Sequence, residues 1–417
     1  MGVVMEGEEK SATYRYRWIV LLAFMFVAAL TQLMWLNYAP ILSRTQELMG
    51  FSSELPIVIL MLMFPLVYIP VSIPAGFVID RKGFRYAVMI GAVLTAAFSF
   101  LRLFVDNYAL VLIGMIGISV GQPFVLNSIT KMVSTWFPSD ESAIASGLAT
   151  LSLFVGMIIA QAATQPMLEA FGDDLGALRL VVLIYSLAAL AGFVLFAFLG
   201  KARPPKPPKR TEQEALGEDV AINMKSLRSL FGLHNFRILC VIIFVGNGSF
   251  VGLMQLIEDI LGPKGITSET AGYIGAVMVV AGVVGCIVIP AISDKLTWRK
   301  PFLLLAAFMA VPTLFLVGAL ENTFLIFVVG GFLGFFLLSA LPILLAFAEE
   351  TTGAHLTGTA TSMLFLLGNA GGVVLTLAME GIKAATGGES FFWAMAFLAA
   401  LFVAAFFIAL RIDEEHA

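Results

Sequence analysis

Apolar runs of roughly twenty residues, the length that crosses a bilayer as a helix, recur along the whole chain. Twelve can be counted. Six lie in the first half, at 18–42, 56–79, 84–105, 109–133, 143–171 and 178–200, and six in the second, at 236–257, 271–292, 301–320, 323–348, 356–379 and 391–410. The first run alone would be ~37 Å long at about 1.5 Å per residue, enough to span with some tilt. The pattern breaks between Lys201 and His234. There, four prolines and five basic residues take nine of the ten positions from Lys201 to Arg210, which suits neither a helix interior nor hydrocarbon. The reading is an all-α membrane protein of twelve transmembrane helices. Two six-helix bundles, 1–200 and 235–417, would be joined by a linker at 201–234.

Composition agrees with this reading and excludes others. The 417 residues are 60% hydrophobic and 12% charged, about half the charge of an average soluble domain. With the N-terminus placed in the cytoplasm, 19 of the 24 Lys and Arg fall inside and five outside. This is the positive-inside bias, and it puts both termini and the linker in the cytoplasm. The acidic start, Met1–Lys10, and the length of the first run argue against a cleaved signal. The net charge of −4 is spread over loops and does not point to nucleic acid. Cys240 and Cys286 fall inside apolar runs and read as packing residues. The three histidines, His234, His355 and His416, sit on loops or ends. They do not assemble the cluster that a membrane enzyme or a metal site needs, so no enzyme activity, metal or cofactor is expected.

The two halves carry a repeated loop. Gly76-Phe77-Val78-Ile79-Asp80-Arg81-Lys82-Gly83-Phe84-Arg85 joins spans 2 and 3. Asp294-Lys295-Leu296-Thr297-Trp298-Arg299 joins spans 8 and 9 at the same place in the second half, and such repeats are common in transporters. The pattern Gly-x-x-x-Asp-Arg-x-Gly-x-Arg, with twelve spans and a central linker, resembles the major facilitator superfamily. The resemblance implies that Asp80, with Arg81 and Arg85, holds the cytoplasmic side shut when the outside is open. Asp294 would be its counterpart in a copy that lacks both glycines. The plainer reading is that these charges only set topology.

No Asp, Glu, Lys, Arg or His falls near the middle of a run, and a charge placed there is usually functional. What lies at mid-depth is aromatic and amide. Thr31, Trp35 and Tyr38 share a face of span 1 at i, i+4 and i+7. Ser119 and Gln122 share one on span 4. Span 7 offers Asn247 and Phe250, with Gln255 further out, and span 11 offers Ser362, Phe365 and Asn369. Each has a plainer role: Trp35 as an interfacial anchor, Phe250 as packing, Gln122 and Asn369 as bonds between helices. Together they lie at similar depth on four spans, two from each half.

Two of these stretches resemble the FLVCR family (solute carrier family 49). Met34-Trp35-Leu36-Asn37-Tyr38 is similar to its span-1 motif. Ser119-Val120-Gly121-Gln122-Pro123-Phe124-Val125-Leu126, followed by Ser134-Thr135-Trp136-Phe137, is similar to its span-4 segment. Weaker likeness runs through Gly334-Phe335-Phe336, Leu341-Pro342 and Gly368-Asn369-Ala370-Gly371. Members of that family carry choline and related amines, and haem or vitamin-like cargo has been assigned to some. The resemblance implies that Trp35 and Gln122 belong to the substrate site, while Phe250 stands where the family has Tyr and Asn369 where it has Gln.

The physics agrees with an amine. A quaternary ammonium is held by aromatic faces, here Trp35 and Phe250 with Tyr38 in reserve, and by the amides Gln122, Asn369 and Asn247. Without a buried titratable group, uniport of a small organic cation by alternating access is the expected mechanism. The alternative is a proton-coupled exporter of amphipathic drugs or metabolites, or of haem-like cargo, using Glu258 or Asp259 at the outer mouth. The expected partners are a small-molecule substrate and the lipid bilayer, in the plasma membrane, with the chain acting as a monomer.

Overall fold

The computed structural model describes residues 15–205, 224–353, 356–388 and 390–414. Among the described residues, twelve helices are long and apolar enough to cross a membrane. Spans 1 to 6 are Tyr16–Leu48, Leu55–Lys82, Phe84–Leu103, Tyr108–Trp136, Glu141–Ala170 and Leu175–Leu199. Spans 7 to 12 are His234–Gln255, Ser268–Leu296, Lys300–Ala319, Thr323–Thr352, Gly358–Ala385 and Phe392–Ala409. Every expected run is present. Most of the expected linker, 206–223, lies outside the described residues, and Met224–Gly232 near its end is helical. "Outer" below means the end of the bundles remote from the two termini.

Spans 1 and 11 run six residues past their apolar runs. In span 1 the reason is local. The α-helix ends at Leu36, a single 3-10 turn at Ala39–Ile41 contains Pro40, and the helix resumes at Leu42–Leu48. Proline cannot donate the bond that would continue the first segment. The resumed segment is polar on its surface, so hydropathy alone does not register it.

Of the spans that begin at the outer end, span 2 starts after Glu54 without a side-chain cap, and the other five are capped. Asn107, Asp174, Thr267 and Asn322 accept from the backbone N–H of Leu110, Ala177, Thr270 and Leu325 at the starts of spans 4, 6, 8 and 10. Ser390 accepts from Phe392 at span 12. Each satisfies a donor that a helix start would otherwise leave open.

The same pairing is built twice. Span 1 packs on span 5, 2 on 4, and 3 on 6; in the second bundle span 7 packs on 11, 8 on 10, and 9 on 12. Between the bundles, span 5 lies along span 8 and span 2 along span 11. Both repeated loops pass through a residue of positive φ. Gly83 takes φ +83°, and Thr297, three residues after Asp294 as Gly83 is after Asp80, takes φ +57°. Only the sign of φ is shared: Gly83 has ψ 164°, a region open essentially to glycine, whereas Thr297 has ψ 27° in the left-handed helical region. Many large side chains, among them Phe198, Phe308, Phe324 and Phe407, face outward, as a lipid-facing surface requires.

Close approach of the helices depends on small residues. A Cβ at Gly334 would lie 2.0 Å from the Met278 carbonyl oxygen, and one at Gly285 would lie 2.1 Å from that of Phe335. Both lock span 8 to span 10 backbone to backbone. Gly334→Val is therefore expected to lower the thermal unfolding midpoint of the purified protein, at a cost of about 1–3 kcal/mol or more. Gly381→Ala, where a Cβ meets nothing within 4 Å, should leave the midpoint unchanged.

Candidate functional site

Trp35 sits in the last helical turn before the Pro40 break. Its indole N–H donates to the Met61 carbonyl at 3.2 Å, and its ring stacks on Phe64 with centroids 6.1 Å apart. It is 6% exposed, so it is not an anchor in the lipid headgroups. Gln122 is equally buried, and its Oε1 has no hydrogen-bond partner. An amide oxygen left bare in a low-dielectric interior is costly, and a ligand offering a donor or a positive charge would satisfy it.

In the second bundle Asn247 and Phe250 line one apolar pocket, closed by Leu303, Leu338, Leu341 and Phe402. The Asn247 amide nitrogen packs against Gly368 of span 11. Asn369, next along, bonds its own helix through the Phe365 carbonyl at 2.9 Å. Among the described residues, no hydrogen bond or ring contact joins Trp35 or Gln122 to Phe250 or Asn369. Trp35 and Gln122 lie on spans 1 and 4 of the first bundle, and Phe250 and Asn369 on spans 7 and 11 of the second.

Tyr38 has a different neighbour. The Arg102 guanidinium lies 4.8 Å from its ring centre, and Arg102 also donates to Asn37 Oδ1 at 2.7 Å and to Met34 Sδ at 3.1 Å. Arg102 and Tyr38 are both fully buried. The sequence puts Arg102 near the outer end of the run 84–105; the 3-10 turn Phe100–Leu103 folds it back under span 1.

The outer ends of the bundles are joined. Glu258 accepts from the Ser43 backbone N–H at 2.8 Å and from its hydroxyl at 3.0 Å. Lys383 of span 11 binds Glu54 at 2.7 Å and Asp259 at 2.6 Å. Gln161 of span 5 donates to the Met254 carbonyl at 2.8 Å, and Gln255 donates to the Met61 carbonyl at 3.3 Å. The Met61 carbonyl therefore receives Trp35 from one bundle and Gln255 from the other. The outer side is closed, and Trp35 lies directly under the seal.

Glu258 and Asp259 are 5% and 4% exposed. The expectation that no titratable group is buried does not hold for this closed outer side: contact between the bundles buries residues that each run, taken alone, leaves at its mouth. Burial pushes the Asp259 carboxyl up to about 8, with the Glu54 charge adding to the rise and Lys383 opposing it. Burial raises Glu258 as well, against hydrogen bonds from Ser43 and Ser268.

At the opposite end, Arg85 donates to the Ala197 carbonyl at 3.2 Å and to the Gly200 carbonyl, holding the end of span 6. Arg299, at the matching place in the second loop, pairs with Asp294 and with Glu350 at 2.9 Å. Asp80 and Arg81 are exposed. The sequence reading missed Arg102, Glu54, Gln161 and Lys383. The one local signal was a set of polar residues at the ends of otherwise apolar runs.

Known proteins place this arrangement. The profile of the Major Facilitator Superfamily matches residues 21–376. An uncharacterised MFS-type transporter of Caenorhabditis elegans is 28% identical over 90% of this chain, which spans 66% of that protein's length. The choline/ethanolamine transporter flvcr2a of Danio rerio is 26% identical over 87% of this chain and 80% of its own. Among solved structures, a bacterial homologue of the human lysosomal transporter Spinster superposes with a TM-score of 0.71, covering 96% of both chains at 16% identity. With twelve spans, the pairing scheme built twice and the family profile matched from span 1 into span 11, this chain belongs to the major facilitator superfamily of transporters.

Proposed function

We propose that the protein carries a small organic amine or quaternary ammonium, of the choline and ethanolamine class, by alternating access. The observation that carries this reading is the buried, unpartnered Gln122 oxygen, with the buried rings of Trp35 and Phe250 and the amides Asn247 and Asn369 on spans of both bundles. A methylated ammonium has no N–H to donate and is held by aromatic faces. The bare Gln122 oxygen suits such a cation or the hydroxyl of an amino alcohol. Tyr38 is already covered by Arg102 and stays outside the cage. Similarity to a protein named as a choline/ethanolamine transporter supports the same class of cargo.

In this reading the bundles 1–200 and 235–417 rock about a substrate site that these residues form between them, with 201–234 as tether. Asp80, Arg81, Arg85 and Asp294 form the gate at the terminal end. The chain works as a monomer in the plasma membrane with both termini in the cytoplasm, and the membrane potential drives uniport. The test is a thermal-shift titration of the purified protein with choline, ethanolamine, betaine and haem. Choline or ethanolamine should raise the unfolding midpoint in a saturable way; a shift with haem alone would overturn the assignment. The burial of Glu258 and Asp259 favours a second reading, proton-coupled export. Flux across an imposed pH step separates the two, since strict dependence on the proton gradient would reject uniport.

A further inference from the structure

The seal between the outer ends holds more carboxylates than cations. The first bundle contributes Ser43 and Glu54. The second contributes Glu258 and Asp259 from the loop after span 7, Ser268 from the start of span 8, and Glu380 and Lys383 from span 11. Lys383 is the cation of the cluster. Its Nζ binds Glu54 Oε2 at 2.7 Å and both Asp259 oxygens at 2.6 Å, and it lies 4.9 Å from the Phe391 ring centre. Glu258 is held by the Ser43 N–H and the hydroxyls of Ser43 and Ser268, and among the described residues it has no cation. Glu380 Oε1 is buried without a hydrogen-bond partner. Ser43 also donates to Glu54 Oε1 at 3.3 Å, so the carboxylates share their few donors.

We propose that this seal is a proton-binding latch: closing the outer side draws protons onto the Glu258 and Asp259 carboxylates, so acid holds the outer side shut and alkali releases it. The argument is geometric. Four carboxylates and one ammonium are brought together only when the bundles meet, because they come from both. When the bundles part, water reaches each group and it ionises as an ordinary carboxylate. When they close, the excess negative charge is desolvated at short range, and neutralisation by a proton is the least costly relief. The upward shifts of Asp259 and Glu258 in the closed form have this direction.

The sign follows by linkage. A carboxyl whose affinity for protons is raised in the closed form favours closure fully below the ordinary carboxylate range. That support is lost as pH rises toward the closed-form value of Asp259, about 8, and above it nothing further changes. Each proton taken up alters the closed-to-open ratio by up to about tenfold per pH unit within that window. The groups that face the latch from each packed element are Glu54 on the first bundle, Glu258 and Asp259 on the loop, and Glu380 and Lys383 on span 11. The inference rests on the seal and not on the cargo, and it gives this transporter a sensitivity to outside pH even as a uniporter.

The experiment measures the seal without cargo. Ser52 and Thr323 are exposed on opposite bundles at the outer end. In a background of Cys240→Ala and Cys286→Ala, Ser52→Cys and Thr323→Cys carry spin labels, and their separation is measured in nanodiscs from pH 5 to 9 by electron double resonance. The long-distance population should grow several-fold as pH rises. The isosteric pair Glu258→Gln and Asp259→Asn should remove that growth. A distance distribution that does not move with pH in the otherwise unaltered protein would overturn the proposal, as would an unchanged pH response in the neutralised pair. Failure of choline to bind would leave either result standing, so the latch and the cargo are judged separately.

Discussion

Replacing Lys383 by Met should throw the outer side open at neutral pH. Lys383 is the only cation bonded to both Glu54 and Asp259 among the described residues, and its side chain is 12% exposed while that of Asp259 is 5% exposed. Removing Lys383 leaves Glu54 without its cation, and Asp259 too whenever it is ionised, and one member of a buried ion pair left unpaired costs about 3–5 kcal/mol. That corresponds to about a hundredfold or more in the closed-to-open ratio. The measurement is labelling of Met61→Cys by a membrane-impermeant maleimide, since Met61 is fully buried under the seal. Labelling should be slow in the Lys383-containing protein and fast in Lys383→Met. Adding Glu54→Gln and Asp259→Asn to Lys383→Met should slow it again, because removing both signs of charge together is close to neutral. Equal labelling rates with and without Lys383 would show that closure depends on packing alone. Because protonation also removes the charge, acid should partly restore closure in Lys383→Met.

This latch shows where the sequence stops informing. The twelve spans were legible because each is a long apolar run, and the hydropathic signal of a membrane helix is local. The repeat was legible because Asp294 and Arg299 keep the spacing of Asp80 and Arg85, and both loops pass through a residue of positive φ. The sequence placed Trp35 and Gln122 inside apolar runs, and the structure packs both side chains in the protein interior. The partners of Lys383 were not. Glu54 lies 329 residues away in the chain, and no periodicity within one helix names the remote helix it meets. Arg102 was hidden for a different reason. At a run's end a charge reads as solvated, and only the turn that follows shows that its side chain points inward to Asn37 and Tyr38. Inference from hydropathy alone therefore places mid-span neutral residues better than charges at the mouths of helices.

Trp35→Ala should weaken binding of a choline-like cation by about thirtyfold, while Trp35→Phe should weaken it only about threefold. The first figure corresponds to about 2 kcal/mol, the worth of a desolvated aromatic face toward a cation. The second reflects a smaller ring that keeps a face but loses the 3.2 Å bond to the Met61 carbonyl. The pair separates two roles that one substitution would confuse. If Trp35 acts only through its N–H, as a strut between spans 1 and 2, both variants lose the same bond and should bind equally poorly. If it acts as a face, Phe retains most of the affinity and Ala does not. Stability adds an independent readout: removal of a buried aromatic costs about 3–5 kcal/mol, so Trp35→Ala should also unfold earlier. Binding must therefore be measured by titration well below that midpoint. Gln255 provides a further check on the role of the strut, because it donates to the same carbonyl from the other bundle. Gln255→Leu should loosen the outer seal without changing the affinity of the closed form, which places the cation on the ring of Trp35 and leaves the Met61 carbonyl to the gate.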